Sequence, residues 1–418
     1  MRHILIPFPT LWDDLQFEAC KADWSARFLP HFTQPRDFDV RWDFDVRGFI
    51  AAQVAAWRGR AAGVFSSSDY PGAFAAAAIA DQLGLCGPGA ANVLRAAHKL
   101  RARQAMNAVA PVKHALVDPA AVADPPFGFP CFVKPVKGTY SMFARRVADA
   151  AQLRAFLGSR EVQDYTRYFL RIFNELWAEH TGDPVDGRFF IAEEPLAGAQ
   201  VTVEGMVTRG HVTIFGVVDT VFHPGTQSFA RFVYPSRLPH AAQSEMARVA
   251  TAAVAALGMD NTLFNFEMFW DAGRGAQIIE FNPRLCGQFG DLYQRVDGKN
   301  SYVAALELAC GLTPEWPRRQ GAYRIAASVP LRVFRPVHVQ RAPKPVEVRE
   351  INEGCPEALI WSEVATGMNL DDFHQEDGAS VRYGVINLAA DSETAILARC
   401  EEIRRRLGFE FVDLEPGA

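Results

Sequence analysis

Asn265-Phe-Glu-Met-Phe-Trp270, Asp271-Ala-Gly-Arg-Gly275 and Ala276-Gln-Ile-Ile-Glu-Phe-Asn282-Pro-Arg284 read as two apolar, β-prone runs around a five-residue turn. Such runs predict an antiparallel hairpin over residues 263–281, centred between residues 273 and 274. That centre sets Glu267 opposite Glu280, and Trp270 opposite Gln277. Carboxylates facing each other across a ladder lie about 5 Å apart and repel unless a cation sits between them. Asn282 is two residues beyond Glu280, hence on the same face. Two carboxylates and an amide oxygen on one face make a hard-oxygen site suited to Mg²⁺, which usually shares such ligands with nucleotide phosphates. Arg284 continues the line with a planar fork suited to phosphate oxygens. The alternative is a hairpin with two solvent-facing glutamates, which strands this apolar fit poorly.

Composition narrows the context of that hairpin. The 418 residues carry 43 Lys+Arg against 48 Asp+Glu, a net charge of −5. At roughly 100–200 residues per domain the length predicts two to four domains. A mildly acidic chain without long runs of like charge argues against nucleic-acid and anionic-membrane partners. No apolar run approaches the ~18–20 residues that span a bilayer, and the N-terminal apolar stretch is too short for a signal peptide. Seven scattered cysteines without a Cys-x-x-Cys pair exclude a disulfide framework and a zinc ribbon. They fit a reducing cytoplasm. A cytoplasmic multidomain enzyme is expected.

Upstream, residues 2–6 read as a buried strand. Residues 38–46 alternate apolar and charged side chains, within a tandem Asp-Phe-Asp-Val-Arg, and predict a second strand with one face in the core. Residues 62–68 form another strand, ending at Asp69, and an Ala-rich helix then runs to Leu83 and stops at Gly84. The alternation of strands and helices predicts a small parallel α/β domain. Ser66, Ser67, Ser68 and Asp69 lie at the C-terminal end of a strand, where such sheets bind ligands. They equally suit a helix N-cap. Further along, helices are predicted at 92–106, 161–179, 241–257, 300–311 and 392–407, the last ending in an exposed Arg404-Arg405-Arg406. Strands are predicted at 131–133, 189–193, 200–208 and 211–222, with a strand- and turn-rich stretch over 323–390. There is no P-loop, G-x-G-x-x-G, G-x-S-x-G or H-E-x-x-H pattern, and the ten histidines have no metal-ligand spacing.

Ile278-Ile-Glu280-Phe-Asn282-Pro-Arg284, with Glu267 upstream, resembles the metal-binding signature of the ATP-grasp superfamily. Other segments follow in the family's order. Phe129-Pro-Cys-Phe-Val-Lys134-Pro135 resembles the strand whose lysine contacts ATP, and Gly138-Thr-Tyr-Ser141 resembles the phosphate-covering loop. Ala192-Glu193-Glu194-Pro-Leu-Ala-Gly198 and Val201-Thr-Val-Glu204-Gly205 resemble the adenine hinge and the strand beyond it. Lys99 resembles the first nucleotide-contacting lysine. The resemblance implies an α/β chain of ATP-grasp (α+β) type in three parts. These are an N-terminal parallel α/β domain (1–97), a two-lobed ATP-grasp domain (98–320, divided at 195/196) and a small C-terminal α+β domain (321–418).

The resemblance further implies an ATP-dependent carboxylate–amine ligase that activates a small carboxylate as an acyl phosphate. An amine then displaces phosphate, and ADP is released. Mg²⁺ or Mn²⁺ would sit at Glu267, Glu280 and Asn282, while Lys99 and Lys134 grip phosphates and Arg284 stabilises the transferred group. Gly138 and Ser141 belong to the covering loop, and Glu193, Glu194 and Glu204 to the nucleotide site. The chain departs from the family in three places. The loop has a single glycine, so Tyr140 and Met142 are expected to cover the nucleotide. Gln200 replaces a common glutamate, which leaves ribose to Glu193 or Glu204. In the segment 228–239, which resembles the acceptor-site strand of the L-amino-acid ligases, Arg231 and Arg237 stand where an acidic residue is common. Arg231 is therefore expected to hold an extra substrate anion, the alternative being that either arginine pairs with a surface carboxylate. His223 is either an acid–base group in that pocket or a structural loop histidine. Carboxylation or formyl-type transfer, as in purine-biosynthetic relatives, and a non-catalytic ATP-binding regulator are the competing readings. A homodimer is left open because relatives are often dimers.

Overall fold

The structure, a computed structural model, describes residues 1–139, 141–373 and 378–414. The first strands are β1 (Arg2–Ile6), β2 (Phe28–Phe32) and β3 (Gly63–Val64), which form a parallel sheet in the order β2-β1-β3. The helix Gly72–Leu83 follows β3 and ends at Gly84 in the left-handed conformation (φ 67°), as an αL cap requires.

Residues 38–46 are not a strand. A single 3₁₀ turn occupies Asp37–Asp39, and a helix starts at Val46, where the Asp45 carboxylate accepts from the Gly48 amide. Phe38 is 70 % and Trp42 55 % exposed, so the aromatics do not share one buried face. Of the aromatics in this stretch only Phe44 packs against the core, beside Phe8 and Phe49. A local helix cap has outweighed the two-residue alternation.

The strands β4 (His114–Val117), β5 (Cys131–Pro135), β6 (Arg145–Val147) and β7 (Phe190–Glu193) make an antiparallel sheet in the order β4-β7-β5-β6. The helix expected over 92–106 is two helices, Ala90–Ala97 and Lys99–Met106, parted at His98. The break turns the Lys99 amide onto the Val136 carbonyl at 2.7 Å, just beyond β5. The helix expected over 161–179 is interrupted by a π turn at Tyr165–Phe169.

A larger sheet begins with β8 (Ala199–Thr208), β9 (His211–Phe222), β10 (Phe229–Tyr234), β11 (Thr262–Asp271) and β12 (Gly275–Asn282). After it come β13 (Ile325–Val333), β14 (Val337–Arg341), β15 (Ala358–Ser362), β16 (Asn369–Leu370), β17 (Val381–Ala390) and β18 (Glu410–Asp413). Three of the later strands extend the sheet to eight, in the order β12-β11-β8-β9-β10-β13-β17-β15; β14, β16 and β18 form a small sheet of their own. The helix His240–Ala256 covers one face through Met246, Val249, Ala250 and Ala253, which pack with Val201, Val203, Phe266, Met268 and Ile278. The other face of β8, β11 and β12 carries Thr202, Glu204, Asn265, Glu267, Glu280 and Asn282 by strand alternation.

Candidate active site

The hairpin of β11 and β12 pairs Glu267 with Glu280 and Asn265 with Asn282. Beyond Glu280 the register slips by one residue, so Trp270 faces Ala276 rather than Gln277, and Ile279 is the extra residue of a bulge. The bulge leaves the Ile279 carbonyl on the free edge of β12, where it accepts from Lys134 Nζ (3.0 Å) and an Arg103 terminal nitrogen (3.1 Å).

Glu204 determines which atom Asn282 presents. Its Oε1 accepts from the Cys286 amide (2.9 Å) and Asn265 Nδ2 (3.0 Å), and its Oε2 accepts from the Tyr293 hydroxyl (2.7 Å). Asn265 must therefore use its nitrogen toward Glu204 and its oxygen toward Asn282 Nδ2 (3.4 Å). The Asn282 oxygen is left for the cleft. Glu204 itself is only 2 % exposed, and both its oxygens accept hydrogen bonds from within the protein.

Glu280 Oε2 pairs with Lys99 Nζ at 3.0 Å. Among the described residues no donor reaches the Glu267 carboxylate. Burial, and then the charge of Glu280, push the Glu267 carboxyl up to about 7. Burial also acts to raise Glu280, but Lys99 and Lys134 outweigh it and hold that carboxyl below the usual range. Unpartnered glutamate oxygens beside an amide oxygen are a donor set for a hard divalent cation. Among the described residues no three His, Cys, Asp or Glu side chains converge on a metal; this set is two glutamates and an asparagine.

Lys134 Nζ also pairs with Glu193 Oε2 (2.8 Å), and Arg103 Nε with Glu193 Oε1 (2.6 Å). Glu193 thus clamps two cations from the β5 and Lys99–Met106 elements, and both its oxygens are engaged. Glu194, the next residue, accepts from the Lys113 amide (3.0 Å) and lies 3.6 Å from Arg274 in the hairpin turn. Lys99 Nζ donates to the Gly138 carbonyl (3.0 Å), at the base of the loop between β5 and β6. In that loop Ser141 has a positive φ of 60° and its carbonyl accepts from Ala144 N. Met142 N donates to the Thr139 carbonyl, while Tyr140 lies outside the described residues. Arg284 Nε lies 3.7 Å from Asp69, which also accepts from Lys137 Nζ at 2.7 Å. Burial would raise the Asp69 carboxyl, but Lys137 and Arg284 draw it down to about 2.

The second arm of the expected site is elsewhere. Glu267 pairs with Thr202 and Thr202 with Val218, while Thr220 pairs with Phe232, so these residues share the cleft face. Arg231, one residue before Phe232, points to the opposite face and donates from Nε to Glu393 Oε1 at 2.7 Å. Arg237 meets the other oxygen of Glu393, also at 2.7 Å. Arg231 thus lies on the face opposite Glu267, and both arginines pair with a protein carboxylate, the alternative weighed for them. His223 sits in the turn between β9 and β10, packed edge-on against Phe334 with ring centroids 4.9 Å apart.

With this geometry in place, residues 127–291 match the ATP-grasp domain family. The chain carries an ATP-grasp domain. Solved structures agree in fold along nearly the whole chain. An L-amino acid ligase from Bacillus licheniformis superposes with a TM-score of 0.73 at 14% identity, covering 99% of both chains. An N5-carboxyaminoimidazole ribonucleotide synthetase in complex with ADP gives 0.65 at 11%, covering 96% of each. The biotin carboxylase domain dimer of the Hydrogenobacter thermophilus 2-oxoglutarate carboxylase, with MgADP and bicarbonate, gives 0.66 at 11%, over 99% of this chain and 91% of that one. Comparison of the sequence with curated proteins finds no match. No helix among the described residues is long and apolar enough to cross a membrane.

Two residues that meet these groups, Arg103 and Lys137, are not site candidates in the sequence, and a third, Asp69, is one only as the first of two readings. Arg103 reads only as a helix residue, and Lys137 lies beside Lys134 with no motif of its own. Asp69 was noted at a strand end, but with a helix cap as the alternative; the helix N-cap is instead Pro71, and Asp69 reaches across to Lys137. A lysine three residues after Lys134 was the one local signal available.

Proposed function

We propose that this ATP-grasp protein is an ATP-dependent ligase that activates a small-molecule carboxylate as an acyl phosphate and joins it to an amine, releasing ADP and phosphate. The observation that carries the reading is the pairing of opposites in one cleft. Cation-seeking oxygens of Glu267, Glu280 and Asn282 lie on the same face as the phosphate-seeking Lys99, within 3.0 Å of Glu280, and Lys134 is bound to the adjacent Ile279 carbonyl. Mg²⁺ or Mn²⁺ held by the three oxygens would neutralise phosphate charge, which phosphoryl transfer requires more than a protein nucleophile. Lys99 ties the covering loop to that face through Gly138, so loop closure and phosphate binding are mechanically joined. Closure excludes water that would hydrolyse the acyl phosphate. Arg284, whose guanidinium has no acceptor within hydrogen-bonding distance among the described residues, is available to the oxygens of the transferred group.

The test is nucleotide product analysis with Mg²⁺, ATP and pools of carboxylates and amines, with Glu280→Gln as the blank. The expected outcome is ADP and phosphate released only when one acid and one amine are both present, and a fall of at least about 100-fold in Glu280→Gln, as for loss of a major charge-stabilising group. ADP formed with bicarbonate or formate in place of an organic acid moves the assignment to carboxylation or formyl-type transfer. AMP and pyrophosphate would contradict the acyl-phosphate chemistry.

A further inference from the structure

Lys137 is a surplus cation in this cleft. Its side chain is 2 % exposed, with Nζ 5.3 Å from the Phe74 ring centre and its backbone carbonyl accepting from the Tyr165 hydroxyl. A buried ammonium is costly unless its donors are filled. Nζ has three donors, and among the described residues Asp69 Oδ2 is its one hydrogen-bond acceptor. The other Asp69 oxygen lies 3.7 Å from Arg284 Nε, too far for a hydrogen bond. A lysine with two donors to spare and an arginine with its whole fork to spare thus flank one carboxylate.

We propose that Lys137 and Arg284 form an oxyanion subsite, bridged by Asp69, that holds the phosphoryl group as it passes from ATP to the substrate carboxylate. In that step the bond from the γ-phosphorus to the bridging oxygen breaks, its electrons leaving with ADP, while a carboxylate oxygen forms the new bond to phosphorus. The three phosphoryl oxygens, over which the charge spreads, are acceptors of the sign that these unfilled donors require. Lys137 is then a catalytic cation, and Asp69 is a positioning residue. Asp69 comes from the N-terminal sheet, Lys137 from the end of β5 and Arg284 from beyond β12, so the subsite exists only when all three parts are docked. The inference rests on the ATP-dependent reading above and assigns its transferred group a place.

The test uses the full chain and calorimetric titration of inorganic phosphate, first with MgADP saturating and then without nucleotide. Wild type is expected to bind phosphate in the presence of MgADP. Lys137→Gln should weaken phosphate at least tenfold, as expected for a charged hydrogen bond, while the Kd for MgADP stays within twofold. Lys137→Arg should restore most of the phosphate affinity. Should Lys137→Gln not fold, Asp69→Asn carries the test, with roughly a threefold loss for phosphate and none for MgADP. Unchanged phosphate affinity in these variants, or parallel loss of phosphate and MgADP, overturns the subsite. Sodium acetate is the second probe: if it, and not phosphate, loses affinity in Lys137→Gln, the cation belongs to the substrate carboxylate and the phosphoryl assignment falls. If wild type binds no MgADP, the ligase reading fails, and the nucleotide-free phosphate titration still decides whether Lys137 and Arg284 hold an oxyanion.

Discussion

Glu267 and Glu280 face each other in one ladder and cannot both be charged cheaply. Lys99 settles which one ionises, because its ammonium contacts Glu280 and not Glu267. Glu267, raised by burial and by its charged neighbour to about 7, still holds a proton in much of the population near neutral pH. A cation bound there must displace that proton. The sign follows: below about pH 7 the metal competes with the proton, and above it the carboxylate is already open. Mg²⁺-dependent nucleotide affinity should therefore rise from pH 6 to pH 8 and then level off, with proton release on binding. Calorimetry in buffers of different ionisation enthalpy measures that release, and Glu267→Gln should abolish the pH slope. A slope that persists in Glu267→Gln would place the titrating group elsewhere. The opposition of Glu267 and Glu280 was legible because a short turn fixes hairpin register. Lys137 and Arg103 were not legible, and Asp69 only as a strand-end residue, because their pairings, 68 and 90 residues apart, are created by tertiary docking alone.

Elements connect these residues through their irregularities. The Ile279 bulge is one such device: without the extra residue the β12 edge would not offer that carbonyl to Lys134 and Arg103. Sequence alternation places Gln277 opposite Trp270 because it assumes an unbroken ladder, and a bulge carries no reliable compositional mark. The stretch 38–46 fails for the opposite reason, a strong period of two overridden by a helix cap at Asp45. The turn that leads into β8 is a third irregularity. Gly198 has φ 138°, and a Cβ there would overlap the Trp270 carbonyl oxygen. Gly198→Ala should therefore cost more than about 1 kcal/mol of stability and weaken MgATP, since β11 and this turn must part. Urea denaturation reads the first effect and nucleotide titration the second. An alanine variant with an unchanged urea midpoint would show that the turn has room the structure does not show.

At the scale of the molecule, the eight-stranded sheet crosses the boundary expected at residue 320. Strand β13 pairs with β10 through Phe232–Ser328, Val233–Ala327 and Tyr234–Ala326, so the last hundred residues complete the same sheet that holds the glutamates. One apolar cluster gathers Ile4 and Ile6 from the N-terminal sheet, Phe215 and Tyr293 from the centre, and Ala326 and Ala389 from the C-terminal part. A buried polar chain follows the same route. Asp291 accepts from Gln16 (2.9 Å) and Asn387 (2.6 Å), and Gln288 donates to Ser328 (2.6 Å). Ending the chain at residue 320 would strip two partners from this network and expose the β10 edge beside Val233. An open, apolar edge invites aggregation, and unpaired buried polar groups cost about 1–3 kcal/mol each. The truncated chain is expected to be insoluble or to lack a cooperative melt, and to bind no MgADP, although every candidate nucleotide and metal residue remains in it. Soluble expression, thermal melting and MgADP titration of residues 1–320 check this. A soluble, cooperatively melting fragment with MgADP affinity within threefold of the full chain would show that the ATP-grasp cleft is stable without the strands that close its sheet.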